Sequence, residues 1–260
     1  MSEKLTKDTQ YVDRKNLDCC PDYAGVADDA NAWFAYAQKL GEKMDMRGAV
    51  NALSRAIALE PACGIYYRWR GHRHLNCGDL EDACADFTMA SRLIPENWDV
   101  WYHLALCCVV LGRREYAEYA HKRCWEITND LVDDSKYVAL CNWMWINRSL
   151  MGKTKEADEL LNSYIRADLD AGVDVAYLRM CLAYKGDIAP EELLKPDEND
   201  DEPLLCVMTQ AFGLANYYRI KGDEAKYRET IDYIVEQGKP AWNCFGYSSA
   251  CYIKRHMQEV

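Results

Sequence analysis

The sequence predicts an all-α fold, a right-handed solenoid of stacked helical hairpins, on three observations. The chain is self-similar at a period of 34 residues, apolar residues recur at three- and four-residue spacing within each period, and glycine or proline falls at the ends of the apolar stretches. With 260 residues, half of them apolar, the chain is long enough to bury a sizeable core.

The units follow in order. Taking Ala30, Gly64 and Trp98 as first residues puts Trp33, Tyr67 and Trp101 at position 4. Position 8 then holds Ala37, Gly71 and Ala105, and position 20 holds Ala49, Ala83 and Ala117, small residues where the two helices of a hairpin must approach closely. Position 24 reads Leu53, Phe87, His121 and position 27 reads Ala56, Ala90, Cys124. Pro61 and Pro95 stand at position 32, where a ring without an amide hydrogen stops the second helix. Gly78-Asp79 and Gly112 mark the turns.

Clear repeats thus span 30–63, 64–97 and 98–131. Divergent ones are expected at 138–171, around Gly152 and Ala157, at 172–202, and at 203–238. The second of these looks shortened, because Pro190 and Pro196 are followed by the acidic run 197–202, read as a solvated loop. Pro203 suits a first helical turn, and Gly222-Asp223 a hairpin turn. Residues 240–257 supply one further helix, fit to cap an array. Residues 1–24 lack the period and read as an arm, unstructured or loosely docked, which leaves 25–260 as one domain.

A large aromatic at 4, small residues at 8 and 20, Ala at 27 and Pro at 32 resemble the tetratricopeptide repeat family. The strings Tyr67–Arg73, Ala183–Gly186 and Trp242–Tyr247 are similar to those of bacterial cytoplasmic members of that family. The resemblance implies that the first helix of each unit lines a concave face, with positions 2, 5, 9, 12 and 13 turned into the groove. Those positions place Phe34, Gln38, Arg68, His72, Tyr102, Leu106 and Asn142 on a mixed apolar and polar wall. A protein or peptide segment laid along it is the expected partner, with aromatic and arginine side chains as anchors.

The second repeat departs from the pattern. Arg68 and His72 are four residues apart on one helix face, while Arg70 and His74 occupy positions where the family has apolar side chains. Two readings stay open. Arg70 is an internal ion-pair partner, for instance of Asp86 or Glu60, or Arg68, Arg70, His72 and Arg73 form a cationic pocket for a carboxylate or phosphate. Asp99, able to neutralise Arg68, favours the first. A carboxylate clamp for a partner's C-terminus is not expected, since the third and fourth units offer His103, Ala139 and Trp143 where that arrangement has polar and cationic groups.

Charge and composition narrow the function class. Lys and Arg number 31 against 42 Asp and Glu, a net charge of −11 that disfavours a broad nucleic-acid surface. The N-terminus carries no apolar stretch of export-signal length, and the longest apolar run, Leu104 to Leu111, is far short of the roughly 20 residues that span a bilayer. A cytoplasmic location without membrane contact is the expectation. The 13 cysteines form no Cys-x-x-Cys pair and read as free thiols. His72 and His74, two apart on a helix, point to different faces, so no metal site is expected; no cofactor motif and no catalytic residue is assigned. The sequence therefore points to a non-enzymatic interaction scaffold that binds an acidic or other peptide. The alternative is a sensor of a small anionic ligand or signal peptide, or an enzyme using the basic pocket. Oligomeric state is left open.

Overall fold

A computed structural model describes residues 29–128, 134–196 and 202–257. The expected arm at 1–24 and the acidic run at 197–201 lie outside the described residues. Every regular element among the described residues is helical: α1 (Ala30–Glu42), α2 (Met46–Leu59), α3 (Gly64–Cys77), α4 (Leu80–Leu93), α5 (Trp98–Val110), α6 (Arg114–Thr128), α7 (Asp134–Leu150), α8 (Thr154–Tyr164), α9 (Val175–Lys185), α10 (Pro203–Ile220), α11 (Glu224–Gln237) and α12 (Phe245–Met257). Short 3₁₀ turns at Gly172–Asp174, Pro190–Leu194 and Lys239–Ala241 join the later helices. None of the described helices is long and apolar enough to cross a membrane.

Local chemistry sets the helix ends. The side chains of Asp29, Asp45, Asn97 and Asp223 accept hydrogen bonds from the backbone N–H three residues on, satisfying first-turn donors that no carbonyl reaches. The turn from α3 to α4 bends through Gly78 at φ +76°, a left-handed conformation that glycine adopts without a Cβ penalty. Met44 holds the equivalent place between α1 and α2 at φ +63° with a side chain attached.

The hairpins α1–α2, α3–α4, α5–α6 and α10–α11 pack along their small residues. Ala37, Ala49, Ala83, Ala105 and Ala117 are buried, and a Cβ on Gly71 would come within 3.1 Å of the Phe87 ring. Leu53, Phe87 and His121 fill the space between paired helices.

From α5 onward the inner helices also pack on one another. Helix α7 touches α5, α9 and α10 besides its own partner α8, and α12 lies against α10 and α11. The curl continues until α12 reaches the second hairpin. Asn76 Nδ2 donates to the Asn243 carbonyl at 3.4 Å, the Tyr252 hydroxyl donates to Glu81 at 2.5 Å, and Arg255 Nη2 donates to the Gly78 carbonyl at 3.5 Å. The inner wall of the C-terminal half is therefore core.

Candidate functional site

That packing sorts the residues predicted to line the groove. Leu106 and Asn142 are 2 % and 1 % exposed, and Tyr102 is buried as well, stacked on Trp98 at 4.7 Å. These three do not reach an accessible wall, because α7, α9, α10 and α12 occupy the space a peptide would take. The cavity beside Asn142, lined also by Trp143, Phe212 and Phe245, has about 10 Å³ of free space, the room of a single water. Phe34, Gln38, Arg68 and His72 remain partly accessible, on α1 and α3.

Helix α3 carries three arginines and two histidines, and their partners separate them. Arg70 makes a two-pronged contact with Asp86 of α4, Nε to Oδ2 at 2.8 Å and Nη2 to Oδ1 at 2.7 Å, and donates to Ser54 Oγ at 3.0 Å. Burial alone would lower the pKa of Arg70, but the Asp86 carboxylate outweighs it and raises it. Buried His74 faces Asp79 at 3.3 Å, and Arg47 of α2 bonds the same carboxylate. Arg70 thus belongs to an internal charge network, where guanidinium and carboxylate compensate each other's desolvation. The cationic pocket that included Arg70 is corrected accordingly.

Arg68 points the other way, its Nε 2.5 Å from Asp99 Oδ2 in the first turn of α5. His72 lies edge-on to His103 with ring centroids 4.5 Å apart. Burial first, then the neighbouring His103, pushes the His72 pKa down to about 3, so at neutral pH it is an uncharged imidazole and adds nothing to the positive charge.

Arg73 is different from both. Its Nη1 approaches the Met46 sulfur at 3.8 Å, and its guanidinium packs on Gly41 at the end of α1. Among the described residues no carboxylate lies within ion-pair distance of it, and its buried Nε has no acceptor. Burial and the nearby Arg68 both lower its pKa. Trp69 links the two arginines: the guanidinium carbon of Arg68 is 4.4 Å and that of Arg73 5.1 Å from its ring centroid. Phe34 of α1 meets the same indole edge-on at 6.3 Å. Gln38 Nε2, also on α1, is buried without an acceptor among the described residues. Ile65, one turn before Trp69, is exposed. The arrangement is an apolar and aromatic surface over two buried N–H groups, Arg73 Nε and Gln38 Nε2, that have no acceptor among the described residues. Trp69 did not stand out in the sequence because it sits at position 6, outside the groove positions; an aromatic between arginines was its only signal.

Among the described residues, two groups have metal-binding residue types. His72, Asp99 and His103 place donor atoms within 4.8 Å of one another, as do His74, Asp79 and Asp82. In the first, Arg68 already holds Asp99; in the second, Arg47 and His74 share Asp79.

The observation that decides the architecture is now in place. Three consecutive hairpins in 34-residue register bury the small residues at positions 8, 20 and 27 of each unit, with Trp33 and Trp101 buried and Tyr67 partly so at position 4. The arrangement resembles the tetratricopeptide repeat hairpin. No family model matches the chain. A stretch of 96 residues is 26% identical to anaphase-promoting complex subunit 3 of Schizosaccharomyces pombe, covering 37% of this chain and 14% of that protein's length. Among solved structures, YrrB, a TPR protein with an unusual peptide-binding site, is similar at 15% identity and a TM-score of 0.47, over 88% of this chain and 93% of the other. Pseudomonas aeruginosa pilF is similar at 14% identity and a TM-score of 0.48, over 89% and 97% of the two chains. The tetratricopeptide domain of P58(IPK) aligns at 13% identity and a TM-score of 0.41, over 89% and 67%. In this chain the repeats leave the first two hairpins with the accessible part of the inner face.

Proposed function

We propose that this chain is a non-enzymatic interaction scaffold that binds an acidic peptide segment of a partner protein across α1 and α3. The reading takes 25–260 as one solenoid domain and confines the binding surface to Phe34, Gln38, Ile65, Trp69 and Arg73, with Arg68 and His72 at its border. The single observation that carries it is Arg73: a guanidinium over an indole, without a carboxylate among the described residues, beside a second arginine whose charge raises the cost of leaving it unpaired. A carboxylate on the incoming segment pairs with the partly accessible Arg73 guanidinium, and its neighbouring apolar side chains cover Phe34 and Ile65.

A peptide-display library equally rich in acidic and basic residues, selected on the full chain, tests this. Enriched sequences carrying Asp or Glu beside an apolar residue, and binding at least tenfold weaker to Arg73→Ala, are the expected result. Enrichment of basic peptides, or equal binding to Arg73→Ala and to the wild type, overturns it. Tyr102→Phe serves as the control, because Tyr102 is buried in the C-terminal wall and its substitution leaves the surface of α1 and α3 untouched.

A further inference from the structure

Eleven cysteines lie among the described residues, most of them buried. Burial raises the pKa of the Cys141 thiol to about 12 and pushes Cys107 and Cys181 well up too, so these are inert core thiols, and it raises that of the partly exposed Cys77 to about 11. Cys84 breaks the pattern. It lies on α4, and its sulfur is 3.8 Å from that of Cys108 on α5. Arg113, in the turn that follows α5, donates from Nη1 to Cys84 Sγ at 3.2 Å. Arg113 is itself exposed, and no carboxylate pairs with it among the described residues, so its charge is available to the sulfur. With Arg113 donating to Cys84, the shared S–H of the pair is that of Cys108. The hydrogen bond from Cys108, then the Arg113 charge, outweigh burial and lower the Cys84 thiol below the usual thiol range. The same contact, with burial, raises Cys108.

We propose that Cys84 and Cys108 form a peroxide-reactive dithiol, with Cys84 the attacking thiolate, Cys108 the resolving thiol and Arg113 the group that holds the negative charge. The steps balance with hydrogen peroxide as the oxidant. The Cys84 thiolate attacks one peroxide oxygen and breaks the O–O bond, giving a sulfenic acid and a hydroxide that takes a proton from solvent. Cys108 loses its proton and attacks the Cys84 sulfur, and the S–OH oxygen leaves as water. Two thiols lose two electrons, and the peroxide is reduced to two waters. Disulfide formation must close the sulfur separation from 3.8 Å to roughly 2.05 Å. Cys84 and Cys108 are themselves fully buried, so the exposed Arg113 side chain must swing aside to admit peroxide, a molecule little larger than water. The product bond joins the second helix of one repeat to the first helix of the next, and so fixes the joint that the Arg68–Asp99 pair spans.

Peptide mapping of the full folded chain after titration with hydrogen peroxide tests the proposal. A Cys84–Cys108 crosslink, forming before any modification of the partly exposed Cys77 or Cys251, with a mass loss of two hydrogens, is the expected first product. Cys84→Ser and Cys108→Ser each abolish it, and Cys107→Ser leaves it unchanged. Arg113→Ala slows it at least tenfold while Arg113→Lys restores most of the rate, a difference that a packing role of Arg113 would not produce. The proposal is overturned if oxidation falls first on other cysteines, if a dimedone-trapped Cys84 never closes onto Cys108, or if Arg113→Ala reacts at the wild-type rate.

Discussion

The Arg68 guanidinium donates from Nε to the Asp99 carboxylate at 2.5 Å, and through that contact the second hairpin holds the first turn of the third. Burial would raise the Asp99 pKa, but the hydrogen bonds and charges of His103 and Arg68 overcome it and hold the carboxyl below the usual carboxylate range. A carboxylate depressed in the fold contributes stability above its unfolded pKa, about 3.9, and loses it as pH falls further. Asp99→Asn should therefore cost about 1 kcal/mol at pH 7 and progressively less below pH 4, in urea unfolding followed at both pH values.

His121 makes a second pH prediction, at higher pH. It is fully buried between α5 and α6, and neither ring nitrogen has a partner among the described residues. Burial, with Arg148 adding to it, lowers its pKa to about 3, and His72 is lowered to a similar value. Each is neutral in the fold and gains a proton on unfolding below its unfolded pKa of about 6.5, so stability present above that pH is lost as pH falls toward 3. Between those limits each contributes a slope approaching 1.4 kcal/mol per pH unit. His121→Phe, which places at position 24 the residue found there in the preceding repeat, should remove its own contribution, half of the combined slope of the two histidines. An unchanged slope between pH 6 and pH 4 would show that His121 is solvated or paired in solution.

These two sites show what the sequence made legible. The hairpin register, the burial of Ala49, Ala83 and Ala117, and the misfit of Arg70 and His74 at apolar positions all follow from spacing, because hairpin packing is a near-neighbour matter. The fate of the groove does not. Whether Leu106 and Asn142 face solvent depends on helices that arrive from far along the chain, and nothing in a 34-residue period encodes the contact of Tyr252 with Glu81. Partner choice among the α3 arginines was legible only as a set of alternatives, since Asp86, Asp99 and Glu60 are all in reach until the helices are placed.

Met44 offers a gain in stability. It sits at φ +63°, where the following two repeats use Gly78 and Gly112, and it is 50% exposed, so only part of its side chain packs to offset the strain. A non-glycine residue held in the left-handed region costs of order 1–2 kcal/mol, part of which the greater freedom of unfolded glycine cancels. Met44→Gly should stabilise the chain by about 0.5–1 kcal/mol, a rise in Tm of about 1–4 °C by calorimetry. A lower Tm would mean that the Met44 side chain makes a contact worth more than the strain.

Helix α12 seals the inner wall, and two substitutions separate its apolar from its polar attachment. Phe245 meets Trp143 at 5.5 Å and Phe212 at 6.4 Å, and Gly246 lies so close to α10 that a Cβ there would stand 2.8 Å from the Met208 carbonyl oxygen and 3.0 Å from Phe212 Cβ. Backbone and Cβ atoms do not yield as a flexible side-chain tip does, so Gly246→Leu must lever α12 away, at a cost of about 1–3 kcal/mol. Trp143 and Phe212 then meet water, which should appear as red-shifted tryptophan emission and binding of an apolar dye. Tyr252→Phe removes only the exposed hydrogen bond to Glu81, worth about 0.5–1.5 kcal/mol at most, and should leave both signals unchanged. If instead Tyr252→Phe opens the wall and Gly246→Leu does not, the polar contact with the second hairpin, rather than apolar packing against α10, is what holds the array closed.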